Sequence, residues 1–426
     1  MTRRARPALA ALLTTPMLLA PMLAPALVAP VGAVPAVGPG GAVPAARAAA
    51  EGPDCDTVGA DTELGDPVTG ENAASVELQV PQATEVARRR GVRPGAGVSV
   101  VVLDSGAAGY AARPSASLAS SHGVLVAGIV AGPDQPKPRI KAGIAPRARI
   151  VDLPFYAAPR HEASDGVPVP TAGALEQRLR EVGDRLASGA LGPRTIVLVP
   201  AEVPGSDRLR AALDRVVARG ALVIAAAGDR PGEDESFLAQ FVGKAKPGED
   251  AAAEVWPAAH EDVVAVGVST PGSLDTVLRS SAIDLAAPGT GSVVKGLNGA
   301  WCVVTSVSTH WAAAQVAGVA ALVWSAHPKE SAAWLRARLE ATASGNGAAT
   351  SPLTGFGVVQ PVEALRREVE ATDATGLDEE VAPGRVPRKR ADVLAAVRED
   401  AVWWGLGGGA ALVVLLVLRP VLARRR

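Results

Sequence analysis

Two short stretches of the chain are nearly continuous β-branched runs. Val98-Ser99-Val100-Val101-Val102-Leu103 leads into Asp104-Ser105-Gly106, and Thr195-Ile196-Val197-Leu198-Val199 leads into Pro200. Runs of this kind, without apolar–polar alternation, predict parallel strands covered on both faces, with polar groups gathered at their carboxyl ends. Elsewhere the apolar period is that of a helix. Residues 173–186 read as amphipathic. Residues 207–219 put Leu209, Ala212, Leu213, Val216 and Val217 on one face, and Gly220 ends that helix. The stretch 308–323 is apolar all round and predicts entry to a buried helix. Ala313, Ala317 and Ala320 permit close packing there, and Pro328 stops the run. Strands alternating with helices predict an α/β domain.

The ends of the chain follow other patterns. Met1-Thr2-Arg3-Arg4-Ala5-Arg6 precedes an apolar run of Ala, Leu and Pro, the order of a secretory signal peptide, with small-residue cleavage sites as late as Ala48-Ala49-Ala50. Pro16, Pro21 and Pro25 argue against a stable spanning helix there, although an uncleaved anchor stays open. Residues 401–418 carry no charge, and at 1.5 Å per residue they extend about 27 Å, close to the hydrocarbon thickness of a bilayer. Trp403 and Trp404 lie at one edge of that run. Arg419 and Arg424-Arg425-Arg426 lie at the other, which predicts a cytoplasmic tail. The alternative is a buried soluble helix. Residues 371–400, with Pro383, Pro387 and Arg388-Lys389-Arg390, read as an exposed linker with a short helix near residues 391–398.

The composition narrows the class. Length alone allows two or three domains in 426 residues, but neither end is globular. A net charge of −1 implies no polyanion, so no nucleic-acid partner is expected. The two cysteines, Cys55 and Cys302, make at most one disulfide. Abundant Ala, Arg, Pro and Gly fits a high-GC actinobacterial source.

Several motifs, in order, carry a resemblance. Asp104 closes the first strand. Ser121-His122-Gly123-Val124-Leu125-Val126-Ala127-Gly128 follows, then Gly143-Ile144-Ala145-Pro146, Ala226-Ala227-Gly228-Asp229, Trp256-Pro257-Ala258, Ile283-Asp284-Leu285-Ala286-Ala287-Pro288-Gly289 and Gly355-Phe356-Gly357-Val358. Together with the 308–323 stretch these resemble the subtilisin-like serine proteases, the subtilases, across residues 93–370. The resemblance implies a subtilisin-like three-layer fold with a mainly parallel central sheet. It also implies a catalytic aspartate at Asp104 and a catalytic histidine at His122. In that family the nucleophile segment reads Gly-Thr-Ser, a bulky residue, two small residues, Pro, a variable residue, then Val-Ala-Gly. Aligned on Val316-Ala317-Gly318, the serine position holds His310. The family's oxyanion asparagine falls on Asp229, and its substrate-pairing Ser-Leu-Gly falls on Val199-Pro200-Ala201, where Pro200 has no N–H to offer.

Hydrolysis by a triad needs a carboxylate, an imidazole and an attacking oxygen. Asp104 and His122 supply the first two, and His310 stands in place of the third. Losing one oxyanion donor costs about 3–4 kcal/mol of barrier, and a carboxylate at that place costs more. The expectation is therefore a non-catalytic member. A serine endopeptidase using Ser306 or Ser308 is the alternative. A second alternative is a metal site on His122, His310 and Asp229, with Asp104 behind His122. The simplest expectation is that His310 and Asp229 neutralise each other, with no cofactor.

The overall plan resembles the mycosins, membrane-anchored subtilases of type VII secretion. It has a signal region (1–50), an extension (51–92), a subtilase-like domain (93–370), a linker (371–400), one span (401–418) and a cytoplasmic tail (419–426). That likeness implies an extracytoplasmic domain on a single-pass anchor, with the secretion membrane complex or secreted peptide segments as partners. Within it, a Cys55–Cys302 bond would staple the extension beside His310. A free thiol or a bond to another chain stays open.

Overall fold

The computed structural model describes residues 48–110, 118–164, 166–233, 235–345 and 349–369, with scattered residues between 403 and 419. The signal region up to residue 47, the linker with its short helix, and the tail beyond residue 419 lie outside the described residues. So does much of 401–418. The described residues there are helical and exposed, and among the described residues no helix is long and apolar enough to cross a membrane.

The elements follow one another as α1 (Ala73–Glu77), α2 (Val80–Arg89), β1 (Ser99–Val102), α3 (His122–Ala131), β2 (Arg149–Asp152), α4 (Ala172–Ala187), β3 (Thr195–Val199) and α5 (Asp207–Ala218). After these come β4 (Leu222–Ala226), β5 (Val263–Val268), β6 (Leu285–Ala287), β7 (Val293–Lys295), β8 (Trp301–Val303), α6 (Thr309–Ala326), α7 (Ala332–Ala341) and α8 (Pro361–Arg366). Six strands form one parallel sheet in the order β2-β1-β3-β4-β5-β6, and β7 and β8 pair antiparallel.

The β-branched runs behave as doubly covered strands should. Val100 and Val102 of β1, with Ile196 and Leu198 of β3, pack into one core together with α3 and α6. Val101 and Leu103, with Val197 and Val199, pack into a second core with α4 and α5. Alternate residues of one strand thus enter opposite cores, and the result is three layers. The all-apolar pattern of residues 308–323 is explained by α6, whose residues Thr309 to Ser325 are all buried.

The extension is part of this body. Cys55 is disulfide-bonded to Cys302 of β8, with Cα atoms 5.0 Å apart, and both residues are buried. The Val303 N–H donates to the Pro53 carbonyl at 2.9 Å, and the Thr305 hydroxyl donates to Asp54. These contacts tie the extension to the strand that leads into α6.

Because β1, β3 and β4 are parallel neighbours, their carboxyl ends emerge along one rim. Asp104 leaves β1, Glu202 follows β3 and Asp229 follows β4. The amino end of α6 meets that rim, and a crevice at such a rim is where open α/β sheets place their ligands.

Candidate active site

His122 opens α3. Its backbone N–H donates to the Ser120 hydroxyl at 3.1 Å, and the Gly123 N–H donates to the Ser105 hydroxyl at 3.0 Å. The fit is close. A Cβ at Gly123 would stand 2.3 Å from the Gly106 carbonyl oxygen, so only glycine lets α3 approach the end of β1. This approach brings His122 Nδ1 to 2.9 and 3.0 Å from the two oxygens of Asp104, which is fully buried. The Tyr156 hydroxyl also donates to Asp104, at 2.8 Å. Burial, and then the negative charge of Asp104, hold the Tyr156 hydroxyl well above the usual tyrosine range, so it acts as a donor.

The other face of the imidazole meets no hydroxyl. Nε2 of His122 lies 3.0 Å from Nδ1 of His310, and the rings are nearly perpendicular at 82°. His310 is the second residue of α6. Its N–H is capped by the hydroxyl of Ser308, the N-cap residue, at 3.0 Å. On its far side His310 Nε2 lies 2.7 Å from Glu202 Oε1. Trp311 leans over His122, with ring centroids 4.7 Å apart.

The electrostatics assign the protons. Burial works against a charge on His310. The carboxylates of Glu202 and then Asp229 outweigh it and raise its pKa to about 10. Glu202 responds in the opposite sense. Burial alone would raise its pKa, but the His310 charge pulls it down to about 2. His310 is therefore an imidazolium with both ring nitrogens protonated. Nε2–H donates to Glu202 and Nδ1–H donates to His122 Nε2. That leaves the His122 proton on Nδ1, facing Asp104. Four groups form one line, Asp104–His122–His310–Glu202, and the lone pair a general base would use is taken.

Asp229 does not contact His310 as its expected counter-ion. Its Oδ1 accepts from the Thr309 N–H at 2.8 Å and the Thr309 hydroxyl at 2.7 Å, while its Oδ2 accepts from the Ser308 hydroxyl. It caps the amino end of α6, where backbone N–H groups favour an anion. Burial raises its pKa, the nearby Glu202 adds to the rise, and His310 partly offsets both. The expected neutralising pair is thus replaced by a trio in which Glu202 makes the contact. Sequence reading stopped at Val199-Pro200-Ala201, one residue short of Glu202. Asking which carboxylate next follows β3 would have found it.

Neither alternative serine reaches the imidazole of His122. The Ser306 hydroxyl accepts from the Trp311 indole N–H at 3.2 Å, and Ser308 is engaged between Asp229 and the backbone of α6. The metal-ligating groups gathered here are Glu202, Asp229 and His310, whose ligand atoms lie within 4.8 Å of one another, rather than His122, His310 and Asp229. In that trio both nitrogens of His310, Glu202 Oε1 and both oxygens of Asp229 are engaged in hydrogen bonds. Above these groups a cleft of about 770 Å3 is lined by His122, His310, Trp311, Ser306, Asp56 and Glu162, among others.

Comparisons with known proteins agree with this fold. The model of the Subtilase family matches residues 104–358. Mycosin-4 of Mycobacterium tuberculosis is 27% identical over 370 residues, covering 78% of this chain and 78% of its own. Mycosin-1 of the same organism is 28% identical over 315 residues, covering 65% of this chain and 70% of its own. Among solved structures, the MycP3 protease from the type VII (ESX-3) secretion system superposes with a TM-score of 0.54 at 25% identity, covering 72% of this chain and 90% of its own. The serine protease MycP1, described as an essential component of the type VII (ESX-1) secretion system, gives 0.55 at 25% identity, covering 75% and 92%.

Proposed function

This chain belongs to the subtilase family, and from that premise we propose that it is a mycosin-like member that does not cleave peptide bonds and serves as a scaffold in a type VII secretion membrane complex. One observation carries the reading: His310 Nδ1, not a hydroxyl, faces the Nε2 of His122 at 3.0 Å. A doubly protonated imidazole cannot attack an acyl carbon, and while it donates to His122 it keeps that base from accepting a proton. Asp229 compounds the loss. It stands where the family has a neutral amide and accepts the hydrogen bonds of Ser308 and Thr309, so it offers a developing oxyanion no N–H.

The secretion role rests on likeness. Mycosin-4 and Mycosin-1 are matched over 78% and 70% of their length, and two solved relatives come from type VII systems. In this reading the domain stands outside the cytoplasm, the residue 401–418 segment anchors it, and the Cys55–Cys302 bond suits an oxidising compartment. A strand-like peptide would find little free backbone beside the site, because Pro200 lacks an N–H and Val203 is paired with Trp256. This favours scaffold over peptide carrier.

The test is complementation. In a strain lacking this gene, secretion through the partner system should be restored equally by the wild type and by His122→Ala. Loss of secretion with His122→Ala, at unchanged protein level in the membrane, would reject the scaffold reading.

A further inference from the structure

Beside His310, between the chain leaving β3 and the chain leaving β4, lies a small cavity of about 70 Å3. That is room for about two water molecules. Ala201, Glu202, Asp229 and Leu238 line it, and Arg160, from the loop after β2, forms part of its wall.

Arg160 is held on every side. One terminal nitrogen donates to the Glu202 carbonyl at 3.0 Å, and the other donates to the Pro170 carbonyl. The guanidinium carbon lies 4.8 Å from the centre of the Phe237 ring. Glu202 and Glu235 supply the neighbouring negative charge. Two carbonyls in fork geometry, an aromatic face and two carboxylates together suit a planar guanidinium better than a compact ammonium. The rim beside it offers little free backbone as well. The Glu202 carbonyl is taken by Arg160, Pro200 has no N–H, and the N–H and carbonyl of Val203 pair with Trp256 at 2.9 and 3.1 Å.

We propose that the Glu202 and Pro170 carbonyls and the Phe237 ring form a guanidinium subsite that Arg160 occupies in cis, leaving only about 70 Å3 of the adjoining cavity open, and that this occupancy closes the rim of the cleft to an incoming extended peptide. Arginine thereby fills, from within the chain, the space a partner's side chain would need in order to reach the ground beside His310. The inference rests on the pocket, and it holds whether or not the site cleaves anything.

The test removes the occupant and supplies its head group. Arg160→Ala in the otherwise intact protein is titrated with ethylguanidinium chloride, and with ethylammonium chloride as the control, while thermal unfolding is followed. The variant should show a saturable rise in Tm with ethylguanidinium, at a half-maximal concentration about tenfold below that of ethylammonium, because only the planar fork meets both carbonyls. The wild type should not respond. No saturable rise in the variant, an equal response to both cations, or the same response in the wild type would each overturn the proposal. If Arg160→Ala does not accumulate in soluble form, Arg160→Ser, which likewise vacates the subsite, carries the same readout.

Discussion

His310 Nδ1 stands 3.0 Å from His122 Nε2, so the two imidazoles are joined through one proton and anchored at their outer ends by Glu202 and Asp104. In the reading proposed above, the histidine at the nucleophile position is the hydrogen-bond partner of the histidine that would have served a nucleophile. The buried charge this creates has measurable consequences.

The first is a pH dependence of stability. The His310 pKa is raised to about 10 in the folded protein from 6.5, so folding gains most when the group is charged in both states. That contribution is fully present below about pH 6.5 and is lost as pH rises through about 10. Unfolding free energy should therefore fall by about 3 kcal/mol between pH 6 and pH 9 from this group. At the acid end Glu202, lowered to about 2 from 4.5, contributes above about pH 4.5, and its share is lost as pH falls through about 2. Denaturant midpoints across pH 2–10 check this. A curve flat from pH 6 to pH 9 would contradict it.

Glu202 is the group that holds the charge in place. Glu202→Gln keeps the shape and can still accept from Nε2–H, but it removes the anion. The His310 pKa should fall, and stability at pH 7 should drop by about 2 kcal/mol. Nitrogen chemical shifts of the two imidazoles, followed against pH in wild type and variant, report the first effect, and urea unfolding reports the second.

Rebuilding the missing chemistry should take more than one change. His310→Ser returns a hydroxyl but leaves Glu202 without its partner and Asp229 at the oxyanion position. It should remain inert to a fluorophosphonate probe. His310→Ser with Asp229→Asn should label detectably, since one oxyanion donor is worth about 3–4 kcal/mol of barrier. Labelling of the single variant as fast as the double would show that Asp229 does not matter.

The Cys55–Cys302 bond closes a loop of 247 residues and ties the extension to the strand that enters α6. Replacing both cysteines by serine should destabilise the domain by about 2–4 kcal/mol. Guanidinium unfolding under non-reducing conditions measures this, and an unchanged midpoint would contradict it.

The sheet was legible because its strands announce themselves. The residue 195–199 run is β3 to the residue, and the run from Val98 contains β1. Residues 207–219 and 308–323 gave α5 and α6 to within three residues, because capping and period act locally. Asp104, His122, Asp229 and His310 were legible as positions, since each closes or opens one of these elements. What the sequence did not reveal is who touches whom. Tyr156 and Arg160 reach the site from the connection after β2 and Glu202 from the one after β3, brought there by the parallel order of β2, β1, β3 and β4 rather than by any local pattern. The pairing of Cys55 with Cys302, left open in the sequence, likewise depends on where the chain folds back.

The central claim is that His122 has no hydroxyl to activate. The most direct measurement is fluorophosphonate labelling of the purified, folded wild-type protein at neutral pH, read by intact mass. The account predicts no adduct. A stoichiometric adduct that disappears in Ser306→Ala or Ser308→Ala would contradict it.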